Sequence, residues 1–307
     1  MSQRTIVEKA DIAVANLQAS GGYLNPEQAD TFIRMVQDQP TLLRSVRTVR
    51  MNAPKRNIDK IGFGSRILRA APSSGTPLEA SKRAAPDLGQ VVLETKEVLA
   101  EVHIPYDVLE DNIERGNLED TLMAQITERV AVDLEELIVL GDTASADAYL
   151  ALLDGAVAQA TASGHVADIS GWADTGFKKE VLKEAILNMP PKYLRNRRAM
   201  RFYVDHENET EWRNNIATRE TLLGDQRLEG YQPVMGFGVP LDTAVHMPNN
   251  KMLFCDPRNL IWGVQRQIMI ESERDIRARA LVVVVTLRVD FKVEEPDAVV
   301  LVTGIVN

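Results

Sequence analysis

The sequence predicts an α+β protein, and three features carry that expectation: a long helix near 117–140, alternating strands near 91–104 and 285–293, and a stretch of short mixed elements between them. The helix and its neighbouring strand lie far from the last strands in sequence. The two ends of the chain are therefore expected to share one body, with the middle inserted into it as a second lobe.

Taken in order, residues 1–56 read as an amino-terminal arm, with helical stretches at 6–18 and 26–37 around Gly21-Gly22 and then a basic extended segment. Residues 57–90 read as an extended loop, because few large apolar residues occur there and Gly62, Gly64, Pro72, Gly75, Pro77, Pro86 and Gly89 punctuate it. Such a segment cannot pack a core of its own. A connection of some thirty residues inside a compact body calls for a function or for disorder. From 91 to 104, Val92, Val98, Ala100, Val102 and Ile104 fall on one side and Thr95, Glu97 and Glu101 on the other, which predicts a single strand. Pro105 and Tyr106 open a helical turn to Arg115, closed by Gly116.

The long helix follows from Leu118, Leu122, Ile126, Val130, Leu134 and Ile138, one apolar residue every four. Asn117 is its candidate N-cap, Asp120 completes a capping box and Gly141 stands at the far end. In the middle region, Phe177, Val181, Ala185 and Met189 mark a helix stopped by Pro190 and Pro191. A short strand is expected at 200–204, then a helix from Asp205 carrying Trp212, and strands and turns over 230–248. At the carboxyl end, Val285, Leu287, Val289, Phe291 and Val293 alternate with Thr286, Arg288, Asp290 and Lys292. The run Glu294-Glu295-Pro296-Asp297 turns the chain into a last apolar strand at 298–305.

Charge is distributed unevenly. Thirty-five Lys and Arg against forty-four Asp and Glu give a net charge of −9, which argues against a free-standing sequence-specific DNA binder. Between 44 and 83, Arg44, Arg47, Arg50, Lys55, Arg56, Lys60, Arg66, Arg69, Lys82 and Arg83 oppose only Asp59 and Glu79, a local excess of +8. Between 101 and 154, fourteen acids oppose Arg115 and Arg129, a local excess of −12 that includes Glu110, Asp111, Glu119, Asp120, Glu128 and Asp133. A solvated loop and a solvated helix face would explain either block alone. The two together fit a basic arm that becomes ordered on the acidic surface of another subunit, with Coulomb attraction setting register.

Signatures of chemistry are few. The chain has no Walker loop, dinucleotide-binding glycine fingerprint or nucleophile elbow, and no enzyme is expected. His103, His165, His206 and His246 are dispersed, so neither metal nor cofactor is expected. Asp205 before His206 and Glu207 reads as a helix N-cap, Gly236-Phe237-Gly238 as a tight turn, and Trp172, Trp212 and Trp262 as packing residues. A lone Cys255 cannot close an intrachain disulfide and fits a reducing compartment. The longest strongly apolar run, 280–287, is far shorter than the roughly 20 residues of a membrane span, and the amino terminus lacks the pattern of a secretion signal.

Several stretches, in this order, carry a resemblance. They are Val98-Leu99-Ala100-Glu101-Val102-His103-Ile104-Pro105-Tyr106-Asp107-Val108-Leu109-Glu110-Asp111 with the later Leu140-Gly141-Asp142, then Gly230-Tyr231-Gln232-Pro233-Val234, Phe254-Cys255-Asp256-Pro257, Leu260-Ile261-Trp262-Gly263 and Asp275-Ile276-Arg277. Together with the basic arm, punctuated loop, long acidic helix and terminal strands, they resemble the major capsid proteins of tailed bacteriophages, the Hong Kong 97-like shell fold. The resemblance spans nearly the whole chain.

It implies an amino-terminal arm at 1–56, an extended loop at 57–90, a peripheral domain with a long spine helix at 91–150 and 263–307, and an axial domain at 151–262. It implies self-assembly into hexamers and pentamers of an icosahedral head that encloses double-stranded DNA, the loop lying over the peripheral domain of an adjacent subunit. Arg44, Arg47, Arg50, Lys60, Arg66, Arg69, Lys82 and Arg83 are then the expected contacts of loop and arm. Glu110, Asp111, Glu119, Asp120, Glu128 and Asp133 are those of the acidic spine region. Implied partners are further copies of the chain, portal, scaffold and decoration proteins, and packaged DNA held nonspecifically; no membrane is implied. The implied location is the virion, with assembly in the host cytoplasm. An encapsulin-type nanocompartment shell shares the fold and is the alternative. Only fifty-six residues precede the loop, so a fused, cleaved scaffold is not expected, and neither Lys60 nor Lys82 matches a crosslinking motif.

Overall fold

The computed structural model describes residues 41–62, 66–68, 70, 78–79, 81, 83–106, 118–172, 176–217, 234–265 and 269–306. The helices expected at 6–18 and 26–37, the turn running to Arg115 and the motif from Gly230 to Pro233 lie outside them. In chain order the elements are α1 (Thr41–Ser45), β1 (Arg47–Met51), β2 (Lys55–Gly62), β3 (Asp87–Glu94), β4 (Lys96–Pro105), α2 (Leu118–Leu140), α3 (Ala156–Ala162), β5 (Val166–Asp168) and α4 (Lys179–Asn188). They continue as β6 (Arg201–Val204), α5 (His206–Ala217), β7 (Met235–Gly236), β8 (Val239–Thr243), β9 (Lys251–Cys255), β10 (Leu260–Gln265), β11 (Met269–Asp275), β12 (Ala280–Val293) and β13 (Val299–Thr303).

The first sheet is organised by β12. One edge pairs antiparallel with β4, from Ala280 opposite Pro105 to Val289 opposite Lys96. The other edge pairs with β11 and then, from Val289 to Val293, with β10. The expected alternation is realised: Val283, Val285, Leu287, Val289 and Phe291 are buried, and from β4 Val98, Ala100, Val102 and Ile104 turn the same way. Against this face lies α2, whose 23 residues span roughly 35 Å. A step of four residues overshoots a full turn by about 40°, so the every-fourth series winds around the helix. Burial spreads accordingly to Ala131, Glu135, Leu137 and Val139.

The second sheet has the order β5-β13-β9-β6-β8-β7. Its central strands are apolar on both faces. Leu253, Cys255, Val299 and Leu301 point into the core shared with α2, while Met252, Phe254, Val300 and Val302 point into a second core built on α4 and α5. This sheet is therefore the wall between two cores. It also revises the grouping of 263–307 with 91–150, because β13 pairs with β9 and β5 and not with β12. A strand reading Val299-Val300-Leu301-Val302 needs apolar cover on both sides, and only the wall position supplies it. Conversely β10, expected in the axial part up to residue 262, pairs with β12.

Smaller expectations are met locally. Phe177, Val181, Ala185 and Met189 are all buried, Val181 and Ala185 on α4 and the other two just beyond its ends. The Asp205 carboxylate accepts from the Glu207 N–H at 3.3 Å at the start of α5. Phe237 and Gly238 both have positive φ, 52° and 83°, as a two-residue hairpin turn between β7 and β8 requires.

Candidate assembly interface

The coreless segment contains a two-stranded ribbon. Strands β2 and β3 pair antiparallel from Lys55 opposite Glu94 to Gly62 opposite Asp87. The single strand expected at 91–104 is thus two strands that serve different sheets. The chain changes partners at Thr95, whose N–H donates to the Pro54 carbonyl at 2.9 Å, while the Glu94 N–H donates to Asp290 Oδ2 at 2.6 Å. Beneath the base of the ribbon, Met51, Leu93 and Ile261 form a small buried cluster, with Val49 and Ile58 half-covered. Gly263 permits that approach, since a Cβ there would stand 3.1 Å from Met51 Sδ. Toward the far end the apolar side chains are largely exposed. Ile61 and Leu88, cross-strand partners, are 75% and 72% exposed, and Ile67 and Leu68 are exposed as well.

Several of the basic residues are anchored within their own chain. Arg47 pairs with Glu294 at 2.9 Å, and the Lys60 ammonium donates to the Glu294 carbonyl and to Glu295 Oε2. The acidic turn that receives them is fixed by Asn259, which accepts from the Glu295 N–H at 2.8 Å and donates to the Glu295 carbonyl at 2.9 Å. Arg47 and Lys60, expected to serve a neighbour, thus have acidic partners in their own chain. Residues 41–51, expected as part of an arm, are built into the body: Leu42 and Leu43 are buried, and β1 adds parallel to β10. The Arg50 carbonyl accepts from Arg56 at 2.6 Å. Arg83 donates to the Leu78 carbonyl at 3.1 Å, while Arg44 and Arg66 are exposed. Arg69 and Lys82 lie outside the described residues.

On the acidic side, Glu128 is exposed on α2, and half-buried Asp133 pairs with Arg129 at 2.9 Å one turn away. Glu119 and Asp120 belong to the first turn of α2, with side chains outside the description, and Glu110 and Asp111 lie outside the described residues altogether. Glu135 differs from the picture of a solvated acidic face: it is 2% exposed and accepts from the Leu42 N–H at 3.2 Å, tying α1 to α2. Beside α2, a cavity of about 300 Å³ has an apolar floor from Val98, Leu99, Ala100 and Leu134 and an acidic edge from Asp133 and Glu136. Tyr149 closes it, donating to the Asp133 carbonyl at 2.6 Å; burial, then the nearby Asp133 and Glu136, push its phenol pKa up and keep it protonated.

Sequence reasoning missed three acids that hold the ribbon: Asp290, Glu294 and Glu295. The last two were visible as an acidic run but read only as a turn. Asp290 falls in the polar register of β12, yet it is 3% exposed because the ribbon base covers it. That burial raises its carboxyl pKa, against the lowering effect of the Glu94 N–H and of Lys292.

The family model described as the phage capsid family matches residues 21–304. The chain is 43% identical over 313 residues to the "Putative prophage capsid protein YqbE" of Bacillus subtilis (strain 168), covering 97% of each. Among solved structures, it matches the "Satellite phage P4 procapsid including size determination (Sid) protein" with a TM-score of 0.66 at 16% identity, covering 94% of this chain and 95% of that one. It also matches "Mycobacterium phage Adephagia" with a TM-score of 0.62 at 13% identity, covering 96% and 98%. The chain thus belongs to the phage capsid family, and it is a capsid shell protein of the Hong Kong 97-like fold.

Proposed function

We propose that copies of this chain close into hexamers and pentamers of an icosahedral head around double-stranded DNA, each copy laying its β2–β3 ribbon over the α2 region of a neighbour. The observation that carries this is the exposed apolar end of the ribbon: Ile61 and Leu88 stand in the open, as do Ile67 and Leu68 beyond it, although Lys60 ties the ribbon to Glu294 and Glu295 of its own chain. An isolated two-stranded ribbon is marginally stable in water, so its outer half gains by finding cover on another copy. The apolar floor and acidic edge beside α2 match it in character, as Arg66 and Arg83 accompany its apolar side chains. In this assembly the core around α2 and β12 is the peripheral part, and the lobe around α4 and α5 is the axial part. Each added subunit makes several weak contacts at once, which is how a stable container closes.

The subunit's role is structural rather than catalytic. Portal, scaffold and decoration proteins are its expected partners, assembly takes place in the host cytoplasm, and the net charge of −9 suits a wall that does not grip phosphate. The test is charge reversal: Arg66→Glu with Arg69→Glu should leave the subunit folded and reduce particle yield in sedimentation. Normal yield would remove the ribbon from assembly. Raised salt should weaken early assembly in the same direction. The alternative, a DNA-free compartment, has a fold relative in the "virus-like particle from Pyrococcus furiosus", TM-score 0.54 at 11% identity. Purified particles that carry cargo protein and no DNA would establish it instead.

A further inference from the structure

The link from β12 to β13 gathers charges from three parts of the subunit. Glu294 and Glu295 receive Arg47 of β1 and Lys60 of the ribbon, while Asp297 lies 3.6 Å from the Lys192 ammonium of the axial lobe and 3.8 Å from His165 Nε2. The link is stiff where Lys60 lands. The Glu294 N–H donates to the Asn259 carbonyl and the Glu295 N–H to Asn259 Oδ1, both at 2.8 Å.

Between the ribbon and the body lies a cleft of about 700 Å³, lined by Ile61, Gly62 and Asp87 on the one and by Lys192, Tyr193 and Asp297 on the other. Lys60 lines it too and joins the two. Its stem lies over Gly89, its cross-strand partner, where a Cβ would stand 3.6 Å from the lysine Cε. Beyond Ile58, the hydrogen bonds and ion pairs that tie described ribbon residues to the body all come from this lysine. The tie is open to water, with the Lys60 and Glu295 side chains 27% and 40% exposed, and an ion pair of that kind contributes little to stability. The base is held differently, by the Met51, Leu93 and Ile261 cluster, whose apolar attraction has no preferred direction.

We propose that Lys60 is a releasable latch. Hooked on Glu294 and Glu295, it fixes the outer half of the ribbon at one angle over the cleft; unhooked, it lets that half pivot on the apolar base. Gly62 lies four residues beyond Ile58, roughly 13 Å of strand, and a tilt of about 20° displaces it by about 5 Å. The cleft leaves space for that movement on the side of the body. A weak latch on a firm base allows the angle to change while both cores stay closed. The device belongs to the single subunit and goes beyond the reading of shell assembly.

The test measures that angle in the unassembled full chain, with spin labels on Leu88→Cys in the ribbon and Leu187→Cys on α4, both exposed positions, diluted with the same chain unlabelled. The native Cys255 is buried and takes no label. Double electron–electron resonance should give one narrow distance peak when Lys60 is present. Lys60→Met keeps an unbranched stem without the ammonium and should shift or broaden the peak by about 5 Å or more, the displacement expected of the strand end. Lys60→Arg should restore the narrow peak. A methionine variant that matches its parent overturns the latch, as does a parent already as broad as the variant, or an arginine variant as broad as the methionine one. If circular dichroism shows Lys60→Met unfolded, Glu295→Lys decides by setting a like charge opposite Lys60: a broadened peak in the folded chain supports the latch, and an unchanged peak overturns it. Particle yield plays no part in the readout, so failure here leaves shell assembly standing, and failure to assemble leaves the latch testable.

Discussion

The long hairpin strand β12 and the β2–β3 ribbon are both antiparallel ladders, yet they differ in what the ladder is built upon. In β12 every second side chain enters a core closed by α2, and both edges are paired. In the ribbon only Leu93 is fully buried, and beyond Ile58 opposite Val91 the apolar pair Ile61 and Leu88 is exposed, although Lys60 still reaches Glu294 and Glu295. Backbone hydrogen bonds are equally available to both. Apolar cover is what separates a strand that stabilises its own subunit from one whose apolar pairs wait for another.

The largest contrast should come from core truncation. Phe291→Ala removes a fully buried ring from β12 and should lower unfolding free energy by about 3–5 kcal/mol in urea titration. A loss under 1 kcal/mol would erase the distinction drawn between the two ladders. Gly141→Ala probes the end of α2, where an added Cβ would come within 2.4 Å of the Leu137 carbonyl and 2.5 Å of the Leu153 carbonyl. Overpacking of this kind should cost about 1–3 kcal/mol, read from the same titration.

Asp290 sits where the two ladders meet. Its carboxyl pKa is raised by burial, so the folded state holds this proton at a pH where the unfolded chain has released it. Its contribution to stability therefore falls as pH rises above the ordinary carboxylate value of about 4 through the raised one. Asp290→Asn should remove that slope, visible as a smaller difference between wild-type and variant melting temperatures at the acid end than at pH 7. The smallest change in subunit stability is expected from Ile61→Ala with Leu88→Ala, within about 0.5 kcal/mol, because both are open to solvent. The same variant should lower particle yield, which is the sharpest statement of the comparison.

Much of the body was legible because periodicity reports burial directly. The alternation at 285–293, the part of the α2 stripe from Val130 to Ile138 and the buried run from Phe177 to Met189 around α4 became what their spacing implied. The ribbon was not legible: Lys55 to Gly62 has no alternating face, and its strand character comes from β3 across the ladder. The break at Thr95 was hidden for a related reason. Val92 and Val98 share a parity, yet one belongs to a ladder with β2 and the other to a ladder with β12. Among the proposed contact residues, sequence located the charged blocks but not their local partners. Glu135 was one acid among many until the Leu42 N–H stood beside it.

Patterns of apolar and polar residues along the chain determined α2, α4 and α5, the strands β4, β6, β12 and β13, and the opposed basic and acidic blocks, because those depend on neighbours a few positions away. Only the tertiary structure decided that β13 forms the wall between two cores, that Arg47 and Lys60 are held by Glu294 and Glu295, and that Asp290 is buried. Each of those outcomes brings together groups far apart in sequence, and the free energy of such a contact exists only once packing has chosen which surfaces lose their water.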